Sequence, residues 1–395
     1  MKRSLYLSLC FILCVAFISP IAKAAKENAP AKDGQMNFAP HATSAILMEA
    51  DTGTVLFEKN ASAKLPPASI TKVMTLLLIM EALERGEIKL SDKVRTSERA
   101  ASMGGSQIFL QPGEEMTVED MIKGIAIASG NDASVAMAEH LSGTEEAFVA
   151  KMNERAKQLG MKQTHFVNSN GLPAPEHVSS ALDIAIMSRE LLKHETITKY
   201  TGIYQDYLRK ETSNPFWLVN TNRLVRFYEG VDGLKTGYTS EAKYCLTATA
   251  KRNNMRVITV VMGEPDTKTR NAEVSTLFNY AFAHYQVAPL YKKGEVVQGL
   301  NVDKGKQPTV NAVTPHAVSL LMKRGESADQ FEREVVLQSD ISAPLSKQQV
   351  VGHIFIRTKD GTEVNRIDLF PDQTVDKAGM WEILKRTTRN VLISY

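Results

Sequence analysis

Cysteine is almost missing from this chain, with three in 395 residues. Cys10 and Cys14 lie in the first apolar run and leave with it, so Cys245 stands alone and no internal disulfide is available. Net charge is equally scarce: once Lys2, Arg3 and Lys23 are removed with the leader, 44 basic residues face 44 acidic ones. A neutral surface gives no electrostatic reason to expect nucleic acid as a partner. The eight histidines are scattered and include no H-E-x-x-H pair; a G-x-S-x-G elbow and a glycine-rich phosphate loop are also missing. Zinc-hydrolase, α/β-hydrolase and nucleotide chemistries are thereby disfavoured, and no cofactor or metal is expected.

What is present begins with an export signal. Lys2 and Arg3 precede "LYLSLCFILCVAFI", and Ala22-Lys23-Ala24 supplies a small-x-small cleavage pattern, so residues 1–24 read as a signal peptide cut after Ala24. A retained membrane anchor is the alternative, and the short apolar run speaks against it. Neither Cys10 nor Cys14 follows a small residue, which argues against a lipoprotein signal. An exported protein without disulfides must be stable through its core.

Residues 25–40 form a polar, Ala/Pro-rich lead-in. "SAILMEADTGTVLFEKN" predicts two strands around a turn at Asp51-Thr52-Gly53. Helical patterns follow over 69–85, 117–128, 131–142, 145–159 and 181–195. Then "VDGLKTGYT", "KYCLTATAKR" and "MRVITVVMG" predict an antiparallel meander closed by a helix over 268–286. Strands at both ends with helices between them predict an α+β domain over 41–286 whose sheet joins distant parts of the chain. Residues 290–375 carry only short β-like runs, with a hairpin turn at Lys359-Asp360-Gly361, and predict a small all-β domain. In the tail, 378–395, Met380, Trp381, Ile383, Leu384, Val391, Leu392 and Tyr395 share one helical side, opposite Glu382, Lys385, Arg386 and Arg389. Such an amphipathic helix reads as a membrane-surface anchor; docking on its own β domain is the alternative.

"PPASITKVMTLLLIMEAL" poses the chemical question, because a helix this apolar is a core helix and yet carries Lys72 one turn in, three residues after Ser69. At i and i+3 the two share a face. Burial and a helix N-terminus both favour the neutral amine, which could take the proton of a neighbouring hydroxyl. Alone, S-x-x-K is a weak signal, expected about once or twice by chance in a chain this long. A second copy, Ser240 to Lys243, falls in a turn between strands with no helix to align it. Two further tripeptides raise the specificity. Ser129-Gly130-Asn131 lies at a break between helices, where a C-cap glycine and an Asn cap are also an ordinary pairing. Lys235-Thr236-Gly237 lies on a strand, where glycine would let a ligand backbone approach.

The ordered set of three resembles class A β-lactamases and penicillin-binding proteins. "GGSQIFLQPGEEMTVEDMIKGIAIASGNDASVAMAEHLSG" and "VDGLKTGYT" extend the resemblance to low-molecular-mass penicillin-binding proteins that are D-alanyl-D-alanine carboxypeptidases. It covers residues 38–286 closely and the remainder loosely. The resemblance implies a β-lactamase/transpeptidase-like catalytic domain. In it Ser69 is acylated, Lys72 is the base and Ser129 relays a proton to the leaving D-alanine. Asn131, Lys235, Thr236, Gly237 and Arg270 would bind substrate, and the backbone N–H groups of Ser69 and Tyr238 would form the oxyanion hole. It further implies a peptidoglycan stem peptide ending in D-Ala-D-Ala as substrate, β-lactams as inhibitors, and residence on the outer leaflet of the inner membrane. Tyr238 stands where some relatives have His. "THFVNSNGLPAPEHVSS" lacks the glutamate, followed four residues later by Asn, with which class A β-lactamases activate deacylating water. That favours a carboxypeptidase over the rivals, a β-lactamase or a non-catalytic wall-binding protein. His165, Glu176 and His177 in this segment read as loop packing or rim contacts.

Overall fold

The computed structural model describes residues 37–385. The leader, most of the lead-in and residues 386–395 of the expected terminal helix lie outside the described residues. Two strands, β1 (Ser44–Glu49) and β2 (Val55–Lys59), pair around the Asp51–Gly53 turn. The late meander supplies β3 (Val231–Thr239), β4 (Lys243–Arg252) and β5 (Met255–Glu264). Together they form one antiparallel sheet in the order β2-β1-β5-β4-β3, with β1 pairing β5 across some 200 intervening residues. The inner strands β1, β5 and β4 are buried on both faces because both are covered. Ile46, Met48, Ile258, Val260 and Met262 point into the helical core. Ala45, Leu47, Val257 and Val261, alternating with them, meet Val274, Leu277 and Phe278 of the closing helix.

The helical layer comprises α1 (Lys72–Glu84), α2 (Val118–Ala128), α3 (Asn131–Ser142), α4 (Glu145–Gln158) and α5 (Ala181–Leu192); α6 (Thr267–His284) covers the opposite face. Their starts carry local signals. Thr117, Thr144, Ser180 and Asp266 each accept a backbone N–H three residues on, the ordinary N-cap arrangement. Helix α1 has no such cap and is apolar all the way round, buried from Lys72 to Met80. It is the central helix, and the cleft forms at its head. Two short antiparallel strand pairs, Lys93–Arg95 with Glu115–Thr117 and Gln205–Leu208 with Phe216–Val219, were not predicted from the sequence.

From the end of α6 to Pro371 the regular structure is β apart from one 3-10 turn, Ala328–Gln330: β6 (Tyr285–Tyr291), β7 (Val296–Asn301), β8 (Thr309–Val313), β9 (Val318–Lys323), β10 (Phe331–Leu337), β11 (Gly352–Thr358) and β12 (Glu363–Pro371). The order β7-β8-β12-β11-β10 makes a second sheet, β6 pairs β9, and a core of its own includes Leu320, Leu345, Ile354, Ile356 and Leu369. Residues 380–385 are helical, with Met380, Trp381 and Leu384 exposed. Among the described residues no helix is long and apolar enough to cross a membrane.

Candidate active site

Pro66 and Pro67 lead into a 3-10 turn, Ala68–Thr71, which runs directly into α1. At three residues per turn, positions i and i+3 stack, and this sets Ser69 over Lys72 more directly than an α-helix would. Ala68 enters the turn with φ +49°, an uncommon conformation for a residue with a Cβ, and its surroundings hold it there. Thr71 Oγ1 donates to Ala68 O at 2.8 Å, and His177 Nε2 lies 2.7 Å from the same Thr71 oxygen. Val167 N donates to His177 Nδ1, so the ring's proton sits on Nε2 and points at Thr71. Burial, with His165 and Lys72 adding to it, pushes His177 down to about 4, and the ring is neutral at working pH. Gly171 (φ +88°) closes the other side: a Cβ there would lie 1.9 Å from Ala68 O.

Lys72 is 0 % exposed. Its Nζ lies 3.0 Å from Ser69 Oγ and 2.6 Å from Asn131 Oδ1, and it also reaches the backbone carbonyl of Asn170. The Asn131 amide is oriented unambiguously, because its Nδ2 donates to Gly104 O at 2.7 Å and so turns Oδ1 to the lysine. Burial first, then the charge of Lys235, holds Lys72 well below the ordinary lysine range, with Asp132 opposing. A neutral amine has two N–H groups and one lone pair. Asn131 Oδ1 and Asn170 O can only accept, so they take both N–H groups, and the lone pair is left for the Ser69 hydroxyl.

Ser129 ends α2 in the left-handed region (φ +65°), the turn that allows α3 to start at Asn131. Its side chain is buried and makes no hydrogen bond among the described residues. Asn131 N donates to Ser106 O, so the Gly104–Ser106 loop grips Asn131 through both main chain and side chain. Next to it, Asp132 accepts from the backbone N–H of Ile108 and Leu110 and fixes this loop to α3.

Strand β3 is an edge of the main sheet and lies against the Ala68–Thr71 turn. Lys235 is buried, donates to Thr236 O at 3.0 Å, and is pushed down to about 7 by burial and by Arg270. Thr236 Oγ1 donates to Thr221 Oγ1 at 2.7 Å. The space left by Gly237 was expected to admit a ligand; instead the chain's own turn fills it, since a Cβ would lie 2.9 Å from Pro67 O and 3.2 Å from Ala68 Cβ. Tyr238, half exposed, stacks on Tyr244 at 4.5 Å. Arg270, at the head of α6, is buried, donates from Nε and Nη2 to Asn271 Oδ1, and is lowered to about 10 by burial. A cavity of about 340 Å³ opens beside Ala68, bounded by Leu172, Glu176, His177, Thr239 and Glu241.

Ser69, Lys72 and Asn131 are thus in contact, Lys235 and Gly237 adjoin them on β3, and Arg270 acts on Lys235 through its charge. Sequence reasoning missed the Asn170 carbonyl, Gly171, the Gly104–Ser106 loop and Thr221. The Asn-Gly pair at 170–171 is a turn signal that could have drawn attention to the first two. Ser240 and Lys243 fall at the β3–β4 turn, as anticipated.

A family model described as D-alanyl-D-alanine carboxypeptidase matches residues 27–266, and one described as penicillin-binding protein 5, C-terminal domain, matches residues 285–377. The chain belongs to the D-alanyl-D-alanine carboxypeptidase family, a family of serine hydrolases. It is 54 % identical to D-alanyl-D-alanine carboxypeptidase DacF of Bacillus subtilis (strain 168), over 98 % of both chains. Among solved structures it resembles penicillin binding protein 5 from Haemophilus influenzae, at 31 % identity and a TM-score of 0.68, covering 85 % of this chain and 98 % of that one. Penicillin-binding protein D2 from Listeria monocytogenes, solved in an ampicillin-bound form, matches at 29 % identity and a TM-score of 0.57, covering 62 % of this chain and all of that one.

Proposed function

We propose that this serine-type D-Ala-D-Ala carboxypeptidase works through an acyl-enzyme on Ser69. The carrying observation is the environment of Lys72: buried, held by that burial well below the ordinary lysine range, and placed between two carbonyl acceptors and the Ser69 hydroxyl. As the neutral amine it commits both N–H groups to the carbonyls and turns its lone pair to the serine. Ser69 Oγ attacks the carbonyl carbon between the last two D-alanines of a stem peptide while Lys72 Nζ takes the hydroxyl proton. The carbonyl oxygen gains negative charge and is met by the backbone N–H groups of Ser69 and Tyr238, donors of a kind worth about 3 kcal/mol each in the transition state. As the C–N bond breaks, the proton passes through Ser129 to the departing D-alanine nitrogen. Water then attacks the ester with Lys72 again as base, which frees the shortened peptide and restores the serine. Lys235, Thr236 and Arg270 bind the terminal carboxylate, and the substrate runs along the open edge of β3. The cavity beside Thr239 receives the residues preceding the two D-alanines.

β-Lactams acylate the same serine. The rival β-lactamase reading lacks its deacylating glutamate. The protein is exported, and its C-terminal helix rests on the membrane surface; the exposed Met380, Trp381 and Leu384 support this. Mass spectrometry after penicillin labelling should place a single long-lived adduct on Ser69, and a pentapeptide should yield free D-alanine without cross-linked product. An adduct elsewhere, or rapid penicillin turnover, refutes the reading. Removal of residues 376–395 should move the protein to the soluble fraction with activity intact; persistent membrane binding refutes the anchor.

A further inference from the structure

Arg270 presents a puzzle of charge balance. It is buried, both of its hydrogen bonds go to the neutral amide of Asn271, and among the described residues no carboxylate lies within ion-pair distance. A guanidinium taken out of water ordinarily has an anionic partner. Two carboxyl groups stand near it. Glu264 ends β5, fully buried, opposite Tyr244 on β4. Glu273 lies one turn further along α6.

These two acids meet each other. The Glu273 carboxylate accepts the backbone N–H groups of His41 (2.9 Å) and Ala42 (3.2 Å), and His41 Nδ1 lies 2.7 Å away. The Glu264 oxygens receive no N–H or hydroxyl donor; what they face is Glu273. Two carboxyl groups in buried contact cannot both be ionised, and the donors around Glu273 decide which one is the anion. Burial and then Glu273 push Glu264 well above the usual carboxylate range, whereas Glu273, against burial, is drawn below it by the His41 donors and by Glu264 itself.

The other charged or titratable groups facing Glu264 are Lys59 on β2, Asp266 ahead of α6, Arg270 on α6 and Cys245 on β4. Lys59 does not neutralise it, because that ammonium donates to the carbonyls of Ala39 and Pro40. An ionised Glu264 would be close enough to strengthen Arg270's hold on its proton, and would therefore compete with an incoming carboxylate.

We propose that Glu264 is a positioning residue for substrate recognition: buried against Glu273 and not paired with Arg270, it leaves the charge of Arg270 available to the terminal carboxylate of the peptide. The inference rests on the reading of Arg270 as a carboxylate partner. Its consequence is a loss of substrate affinity at alkaline pH that enters through KM rather than kcat.

The test measures KM for a pentapeptide ending in D-Ala-D-Ala, from neutral to alkaline pH, on the mature wild-type chain, on Glu264→Gln and on Arg270→Gln. Between the two ends of that range the wild-type KM should climb about ten-fold relative to that of E264Q, the size of one pKa unit of lost interaction. Parallel wild-type and E264Q profiles would overturn the role of Glu264 and leave Arg270's untouched. A wild-type KM in R270Q would instead overturn the reading of Arg270, and the proposal with it. Should E264Q fail to fold, infrared spectroscopy of the wild type decides: the carbonyl band of a buried protonated acid should be present at neutral pH and fade as pH rises, and its absence at neutral pH refutes the proposal.

Discussion

Lys72→Arg separates a base from a mere positive charge. Arginine brings a fixed positive charge and keeps donors for Asn131 Oδ1 and Asn170 O, but a guanidinium has no available lone pair. If Lys72 acts by receiving the Ser69 proton across 3.0 Å, acylation should fall by the worth of a general base, about 10²- to 10⁴-fold. Crowding in a fully buried site adds about 1–3 kcal/mol of destabilisation, which thermal unfolding reports separately. The assay is the second-order rate constant for acylation by a fluorescent penicillin. In the wild type the sign of the pH dependence is set by two lysines with opposite requirements. On the proposed roles Lys72 works as the neutral amine, so the rate falls as pH drops through its depressed pKa, and Lys235 works charged, so the rate also falls as pH rises past about 7. Such a bell describes the coupled pair rather than either residue alone. A K72R variant acylating within about ten-fold of wild type, or a wild-type rate that does not fall in acid, would refute the base.

Two further outcomes test the support of the serine turn. His177 is neutral when folded with a pKa of about 4, against 6.5 ordinarily, so between those values the unfolded chain binds the extra proton and stability falls as pH falls. From pH 7 to pH 5 this amounts to about 2 kcal/mol, read as a drop in the urea midpoint that should shrink in His177→Gln; parallel wild-type and variant curves would exclude it. Gly171→Ala would drive a methyl to 1.9 Å from Ala68 O and should lower acylation at least ~10-fold with a loss of about 3 kcal/mol, whereas Gly86→Ala, also at positive φ (+71°) but in open space, should cost about 1 kcal/mol with acylation intact. Equal effects at the two glycines would show that backbone conformation, and not contact with the turn, matters at 171.

What the sequence made legible was whatever is written locally. The helices and the three-strand meander carry their own periodicity, and α2, α4, α5 and α6 their cap signals, so α2 to α6 and β3 to β5 lie within two or three residues of the pattern. The head of α1 was less legible: apolar periodicity fixes a buried helix but does not distinguish a 3-10 entry from an α-helical one, and the contact of Ser69 with Lys72 depends on that entry. The Asn170 carbonyl was invisible because a backbone acceptor has no residue signature. The bond that neutral His177 offers Thr71 was hidden because a tautomer is decided by what reaches the other ring nitrogen, here the N–H of Val167. Gly237 misled for a related reason, since sequence can mark a missing Cβ but cannot say whether ligand or protein uses the room.

The cleft gathers Lys72, Lys235 and Arg270, all buried, with none ion-paired among the described residues. Burial works against the charged form of each of these groups, and mutual repulsion adds to it: Lys235 depresses Lys72, and Arg270 depresses Lys235. The arrangement has a chemical order. Arg270 is lowered to about 10 and Lys235 to about 7, and Lys72, nearest the serine, lies well below the ordinary lysine range. An incoming carboxylate would reverse part of this by satisfying Lys235 and Arg270, which raises the proton affinity of Lys235 and secures its charge at working pH. Burial is the largest cause of the downward shift at Lys72, and a substrate seated over it would only deepen that burial. On the proposed roles, substrate binding would sharpen the division between a charged Lys235 and a neutral Lys72, and the alkaline limb of the pH profile should move upward in kcat relative to kcat/KM.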